Sequence, residues 1–484
     1  MGTRSFLVCL TKSAAPSPSV IDSIQMEATT NNAERRRPSI TKTAVIPLFV
    51  PAFITLCLTA GKQVFQPANE KTAAKDNLVQ PASCRLVLAP LPASKSNNNP
   101  IDQEIAQQQS RILKGSSSAA ALERLGWTFV KKARLSFDAG FYKLAEQCAA
   151  CMEARGLSGP DALLLRAHTL QSLHRFSEAE AVARQLVSLR ERPFDHGVLG
   201  DILIDEGKLR EGAAAYQKMV DLRPDLQSYA RAAHVRWLTG DLDGAIELMN
   251  LATKASSPND PEAAAWAFTR LALYQLQRGA SKPALDSCAA ALSMQGDYAP
   301  ALLARGRILL AIDRPADAIL DLKRAANLNP LPEYKWILAE ALASAGDMDQ
   351  AAELESQIDE RSATEDPRTV SLYLATRQRN PERAVKLARQ ELVNREDILT
   401  HDALAWALAA AGRFTEAQQH MNHALAEGTV DSRLYLHAGV VAALNHDQKA
   451  ARRWLEKAAT TQQMLLPSER LQLAEWRQRV GRQS

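Results

Sequence analysis

The chain of 484 residues is 46% hydrophobic and 23% charged, a balance that excludes wholesale disorder and a polytopic membrane protein. Its net charge of +4 sits entirely in the N-terminal quarter: residues 1–110 carry 11 Lys/Arg and 7 Asp/Glu, and the remainder carries 47 of each. A neutral bulk argues against a nucleic-acid surface, and six cysteines in this length are too few for a disulfide scaffold.

In chain order, residues 1–42 form a basic, mostly disordered leader ending in Arg35, Arg36, Arg37 and Lys42. The run from Thr43 to Gly61 is uncharged and mostly apolar. At ~1.5 Å per residue it is about long enough to cross a ~30 Å hydrocarbon core. Pro47 and Pro51 interrupt it, and a membrane helix tolerates prolines better than a soluble one. The upstream basic cluster would keep the N-terminus cytoplasmic and send the rest of the chain across, to the extracytoplasmic (periplasmic) side. A retained anchor is favoured. Cleavage after the small residues Thr59-Ala60-Gly61, with Met26 as the true start, is the signal-peptide alternative and would secrete the rest. Residues 62–117 are rich in Pro, Ser, Asn and Gln and read as a flexible tether. Within them Ile101, Ile105 and Ile112 support a short helix ending at Gly115.

From 118 to 464 the pattern is helical and broken at regular intervals. An Ala or Gly recurs about five positions after each break, at Ala145, Ala179, Gly212, Ala245, Ala284, Ala318, Ala351, Ala384, Ala417 and Ala450. These anchors are evenly spaced, with one longer interval between Ala245 and Ala284. A fixed period in the range of about 20–50 residues signals a repeat architecture. Twelve positions before each anchor lies a second column: Ala133, Ala167, Gly200, Ala233, Ala272, Gly306, Ala339, Leu372, Ala405 and Ala438. Small side chains at fixed separation mark the places where two antiparallel helices approach closely. The long interval coincides with Ser256-Ser257-Pro258-Asn259-Asp260-Pro261, a loop insertion.

The two columns, with Pro224 and Pro330 closing two of the units, resemble the tetratricopeptide repeat family. The repeat around Leu372 and Asn380-Pro381 departs most from that pattern. The resemblance implies an all-α fold: a right-handed solenoid of about ten helical hairpins, each contacting its neighbours. Residues 465–484 then supply the C-terminal capping helix, with Leu471, Leu473, Trp476 and Val480 among polar residues and Ser468 as N-cap.

No paired carboxylates, nucleophile elbow or phosphate loop with the right context stands in the chain, so no catalytic, metal or cofactor residue is assigned. Cys148-Ala149-Ala150-Cys151 is the strongest motif-like feature. It lies inside a repeat helix, where cysteine packs as a small hydrophobe; redox or metal chemistry at Cys148 and Cys151 is the alternative. His420 and His423, beside Glu416, read as a solvated helix face.

The resemblance implies that the first helix of each hairpin lines a concave groove. Its register places Arg134, His168, Asp201, His234, Leu273, Arg307, Glu340, Tyr373, Trp406 and Gly439 one step after the small column, with Trp336 and Tyr435 close by. Of these, Arg134, His168, Asp201, Arg307, Trp336, Glu340, Tyr373, Trp406 and Tyr435 are the expected partner-binding residues, since aromatics and Arg dominate peptide recognition. The functional expectation is a membrane-tethered or exported scaffold that binds a protein or peptide in that groove, with no nucleic acid and no small-molecule substrate. A soluble cytosolic scaffold is the other reading.

Overall fold

A computed structural model of the chain describes residues 81–91, 99–115, 118–358 and 360–482. The leader and the apolar run 43–61 lie outside the described residues, and no helix among the described ones is long and apolar enough to cross a membrane.

The described residues form 24 α-helices and one 3-10 turn. Twenty of the helices pair into ten antiparallel hairpins. The first five are Ala119–Ser136 with Gly140–Ala154, Pro160–Ser172 with Phe176–Leu189, Pro193–Asp205 with Leu209–Leu222, Leu226–Leu238 with Leu242–Lys254, and Pro261–Gln277 with Ser281–Met294. The second five are Ala299–Ala311 with Pro315–Leu328, Pro332–Ser344 with Met348–Ser356, Pro367–Thr376 with Pro381–Leu392, Ile398–Ala410 with Phe414–Ala424, and Ser432–Leu444 with Gln448–Thr460.

The small-residue columns are where the paired helices touch. A methyl on Gly200 would lie 2.4 Å from the Tyr216 ring and 3.2 Å from the Gly212 carbonyl, and one on Gly306 would lie 2.4 Å from Leu322. Two positions differ from the sequence expectation by one residue. In the eighth hairpin the turn is one residue longer than usual, so Ser371, not Leu372, faces Ala384; its hydroxyl donates to the Ala384 carbonyl at 2.8 Å. In the tenth, the close contact is made by Gly439 and Ala451 in place of Ala438 and Ala450: a methyl on Gly439 would lie 2.6 Å from Leu455, and Ala451 is fully buried, although Ala438 is buried as well.

The segment expected to be a flexible tether carries two packed helices among its described residues. Helices Ala82–Leu88 and Pro100–Leu113 pack Cys84, Val87, Ile101, Ile105 and Ile112 against Leu122, Leu125 and Phe129 of the first hairpin. A disulfide joins Cys84 to Cys151, and the Gln109 amide donates to the Val87 and Ala89 carbonyls, each at 2.8 Å. The expected short helix is therefore present, and it is docked. The short helix before it shows no periodicity of its own; tertiary contact makes it a helix.

The solenoid coils until its later hairpins meet its earlier ones. The Thr429 hydroxyl donates to the Leu238 carbonyl at 2.5 Å, Gln463 to the Gln277 carbonyl at 2.7 Å, and Arg470 to the Leu310 carbonyl at 2.9 Å, while Arg395 pairs with Asp205. Two glycines are required at this seam. Gly207 and Gly240 both have positive φ, and a side chain there would strike the carbonyls of Glu396 and Gly428 at 2.4 and 2.7 Å.

The C-terminal helix Pro467–Arg482 departs from the expected cap in how it is held. Ser468 is not its N-cap: its hydroxyl donates to Glu340 at 2.5 Å. The Glu469 carboxylate instead accepts from the Leu466 N–H at 2.8 Å and from Arg433 at 2.7 Å. Leu473 and Val480 are buried, while Leu471 is exposed.

Candidate functional site

The concave face divides into an open half and a filled half. In the first five hairpins the inner helices surround a cavity of about 470 Å³, within the ~300–1,000 Å³ typical of ligand sites. Arg134, His168, Asp201 and His234, one from each of the first four hairpins, line it as the repeat register implies. So do residues that the single register position missed: Arg231 and Arg270 two positions before the small column, and Phe194, Gln227 and Trp266 six before it. Positions −6, −2 and +1 lie one or two turns apart on one helix face. Reading the whole stripe, instead of one rung, would have found them.

The far wall comes from the irregular interval. The first helix of the fifth hairpin has 17 residues, whereas those of the fourth and sixth have 13, so the insertion adds a helical turn as well as a loop. That added turn carries Glu262, which reaches across to Arg134 at 3.2 Å, and Ala263. Trp266 follows directly and is 39% exposed.

Asp201 is the electrostatic centre of the floor. It accepts two hydrogen bonds from Arg231, at 2.8 and 2.7 Å, and one from the Tyr216 hydroxyl at 2.8 Å. Burial by itself would lower the Arg231 pKa; the adjacent Asp201 more than reverses it, so the guanidinium stays charged. Burial and Asp201 both push the Tyr216 hydroxyl up, which keeps it a donor. His168 is lowered to about 4 by burial and then by Arg134, and His234 to about 4 by burial and then by Arg270. Both imidazoles are therefore neutral at pH 7. His168 packs at a tilt between Trp127 and Phe194, with ring centroids 5.2 and 6.4 Å away, and its buried Nδ1 has no hydrogen-bond partner.

The other expected groove residues lie in the filled half, away from this cavity. Trp336, Tyr373, Trp406 and Tyr435 are 2–6% exposed and pack between hairpins. Trp336 meets Tyr373 edge-on at 5.6 Å, Trp406 stacks on His437 at 4.1 Å, and Tyr435 stacks on Trp454 at 5.4 Å. Glu340 is 2% exposed and engaged by Arg377, Trp336 and Ser468. Arg307 donates to the Met464 carbonyl at 3.2 Å. The coiling explains part of this placement: the turn at 461–466 and the final helix pack on the first helices of the sixth, seventh and tenth hairpins, while Tyr373 and Trp406 are covered by neighbouring hairpins.

Cys151 is bonded to Cys84, and Cys148 is fully buried with its thiol pKa pushed up by burial. The two do not form a dithiol, which corrects the redox or metal alternative for that motif. His420 is not simply solvated: its Nδ1 lies 3.1 Å from Nδ1 of His401, and His423 stacks on the same ring at 4.9 Å. Among the described residues no group of three or more His, Cys, Asp or Glu is arranged to hold a metal ion.

A tetratricopeptide repeat profile matches residues 198–261 and 303–366, two stretches that begin within the third and sixth hairpins. The chain carries tetratricopeptide repeats. Scaffolds of this type bind other proteins. No curated protein sequence matches the chain. Solved structures of similar architecture include PilF of Pseudomonas aeruginosa, at 14% identity over 43% of this chain and 94% of that one, TM-score 0.36. Yeast Tom70 is similar at 13% identity over 79% of this chain and 92% of its own, TM-score 0.34. The human IFIT1 dimer with PPP-AAAA is similar at 12% identity over 75% and 95%, TM-score 0.43.

Proposed function

We propose that this repeat array is a recognition scaffold that seats a segment of a partner protein in the cavity of its first five hairpins, without chemical turnover. The observation that carries the reading is the concentration of Arg134, His168, Asp201, Arg231 and Trp266 around one open cavity on the concave face. Buried hydrogen-bonding groups fixed by a rigid frame, beside exposed aromatic surface, are what a peptide anchor needs. Tethering through the apolar run 43–61, with the array outside the cytoplasm, belongs to the same proposal. The Cys84–Cys151 disulfide supports it, since such bonds persist in oxidising compartments.

The test is capture of the partner by the full chain and by an Ala263→Trp variant, which fills the cavity from the added turn. Leu320→Ser, at a residue 78% exposed in the sixth hairpin and outside the cavity, is the control. Capture should be lost in the first variant and kept in the second. Equal capture by both sinks the cavity as the docking site.

A further inference from the structure

The charge balance of the cavity specifies what it takes. Three guanidinium groups line it. Arg231 is neutralised by Asp201, and Arg134 is paired with Glu262. Arg270 has no carboxylate at ion-pair distance among the described residues. It donates to the Tyr274 hydroxyl at 3.3 Å and lies 5.3 Å from that ring's centre. Asp201 is the sole acid lining the cavity, and both of its oxygens are already engaged. The nearby histidines are neutral and add no charge. A guanidinium held against an aromatic ring without a counterion favours a ligand that brings one.

The apolar side of the cavity is equally specific. Trp266, Arg270 and Tyr274 fall at i, i+4 and i+8 on one helix, and the Arg270 cation lies over the Tyr274 ring. Of the two rings, Trp266 is the exposed one, one turn before Arg270 on the cavity side.

We infer that the seated segment carries an Asp or Glu side chain beside a bulky apolar residue, the carboxylate pairing with Arg270 and the apolar group covering Trp266. This rests on the cavity being the docking site. One uncompensated cation matches one monoanion; a phosphate dianion or a nucleic-acid strand would bring more charge than the cavity balances. The side-chain amide of Gln227 also lines the cavity, where it can meet the backbone of such a segment.

The experiment selects binders from a displayed random dodecapeptide library on the immobilised full chain. Recovered peptides should share Asp or Glu at a fixed distance from an aromatic or aliphatic residue. Their synthetic Asn or Gln counterparts should bind about tenfold more weakly or worse, the size of a charge-assisted hydrogen bond. Arg270→Gln keeps a donor for Tyr274 and removes the charge, so it should fold as the parent does by circular dichroism yet erase the acid–amide difference. Arg270→Lys should retain part of it. Equal binding of acid and amide peptides, or an acid preference that survives Arg270→Gln, overturns the inference and leaves the docking site standing. Binding that is indifferent to Ala263→Trp, or a library that yields no binder, overturns both.

Discussion

The two halves of the solenoid use the same repeat to opposite ends. In the first five hairpins the inner helix face carries Arg231, Arg270, His168, His234 and Asp201 around an open volume. At the rung that holds Arg231 and Arg270, the sixth, seventh and ninth hairpins carry Ala304, Ile337 and Ala403, each at most 2% exposed, and the tenth carries His437, 1% exposed and paired with Asp402. The difference lies in what stands opposite. The first helices of the sixth, seventh and tenth hairpins meet the turn at 461–466 or the final helix, so their inner faces are core and demand core residues. The buried Glu340 carboxylate there is supplied with donors by Arg377 and Ser468. In the first half the cavity is left open, and among the described residues its arginines are paired with carboxylates except for Arg270.

The largest effect expected from this contrast is on stability in the filled half. Trp406 is 4% exposed, stacked on His437, with its indole N–H donated to the Thr376 hydroxyl at 3.0 Å. Truncating a buried aromatic of this kind costs about 3–5 kcal/mol. Trp406→Ala should therefore lower the thermal or urea midpoint sharply. If the midpoint hardly moves, the filled half is not packed as a core and the division between halves fails.

An intermediate effect is expected at the N-terminal edge of the open half. The Cys84–Cys151 bond links positions 67 apart in sequence and ties the N-terminal helices to the first hairpin, which supplies Arg134 to the cavity. A disulfide of this kind stabilises by about 2–4 kcal/mol. Cys84→Ser should loosen the helices Ala82–Leu88 and Pro100–Leu113 and raise hydrogen exchange in 119–154, with little change beyond residue 300. Uniform loosening along the chain would mean that the two halves unfold as one unit and that the seam couples them fully.

How much of this the sequence discloses depends on the range of the interaction responsible. The hairpins repeat at a short and nearly constant interval, and their contacts are made by Ala and Gly at fixed positions, so ten of them are legible. The Leu372 mismatch signals a longer turn: adding one residue moves the contact to Ser371. The shift to Gly439 and Ala451 leaves no such trace, because neighbouring alanines fit either register. The Cys84–Cys151 pair is invisible because the cysteines are distant in sequence and nothing periodic links them. The filling of the second half is hidden for the same reason. It depends on contacts between remote parts of the chain, such as Thr429 with Leu238, and no local pattern encodes the superhelical turn that makes them. The cavity did leave a signal, the one long interval between Ala245 and Ala284, which reads locally as a loop but builds the helical turn bearing Glu262.

The smallest stability effect, and the sharpest test of the contrast, is expected at Trp266. This ring is 39% exposed and borders the cavity from the helix that the insertion lengthens. Since much of its surface already meets solvent, removing it forfeits little burial, and the change in folding stability should stay within about 0.5 kcal/mol. A ring that contributes little to folding yet stays at the cavity mouth has its surface free for a partner, where a buried anchor is worth about 2 kcal/mol or more. Trp266→Ala should thus leave the unfolding midpoint near that of the parent while weakening peptide binding about thirtyfold. Loss of stability on the scale of Trp406→Ala would make Trp266 a packing residue like its counterparts in the filled half. The open half would then differ from the other only in being less completely filled.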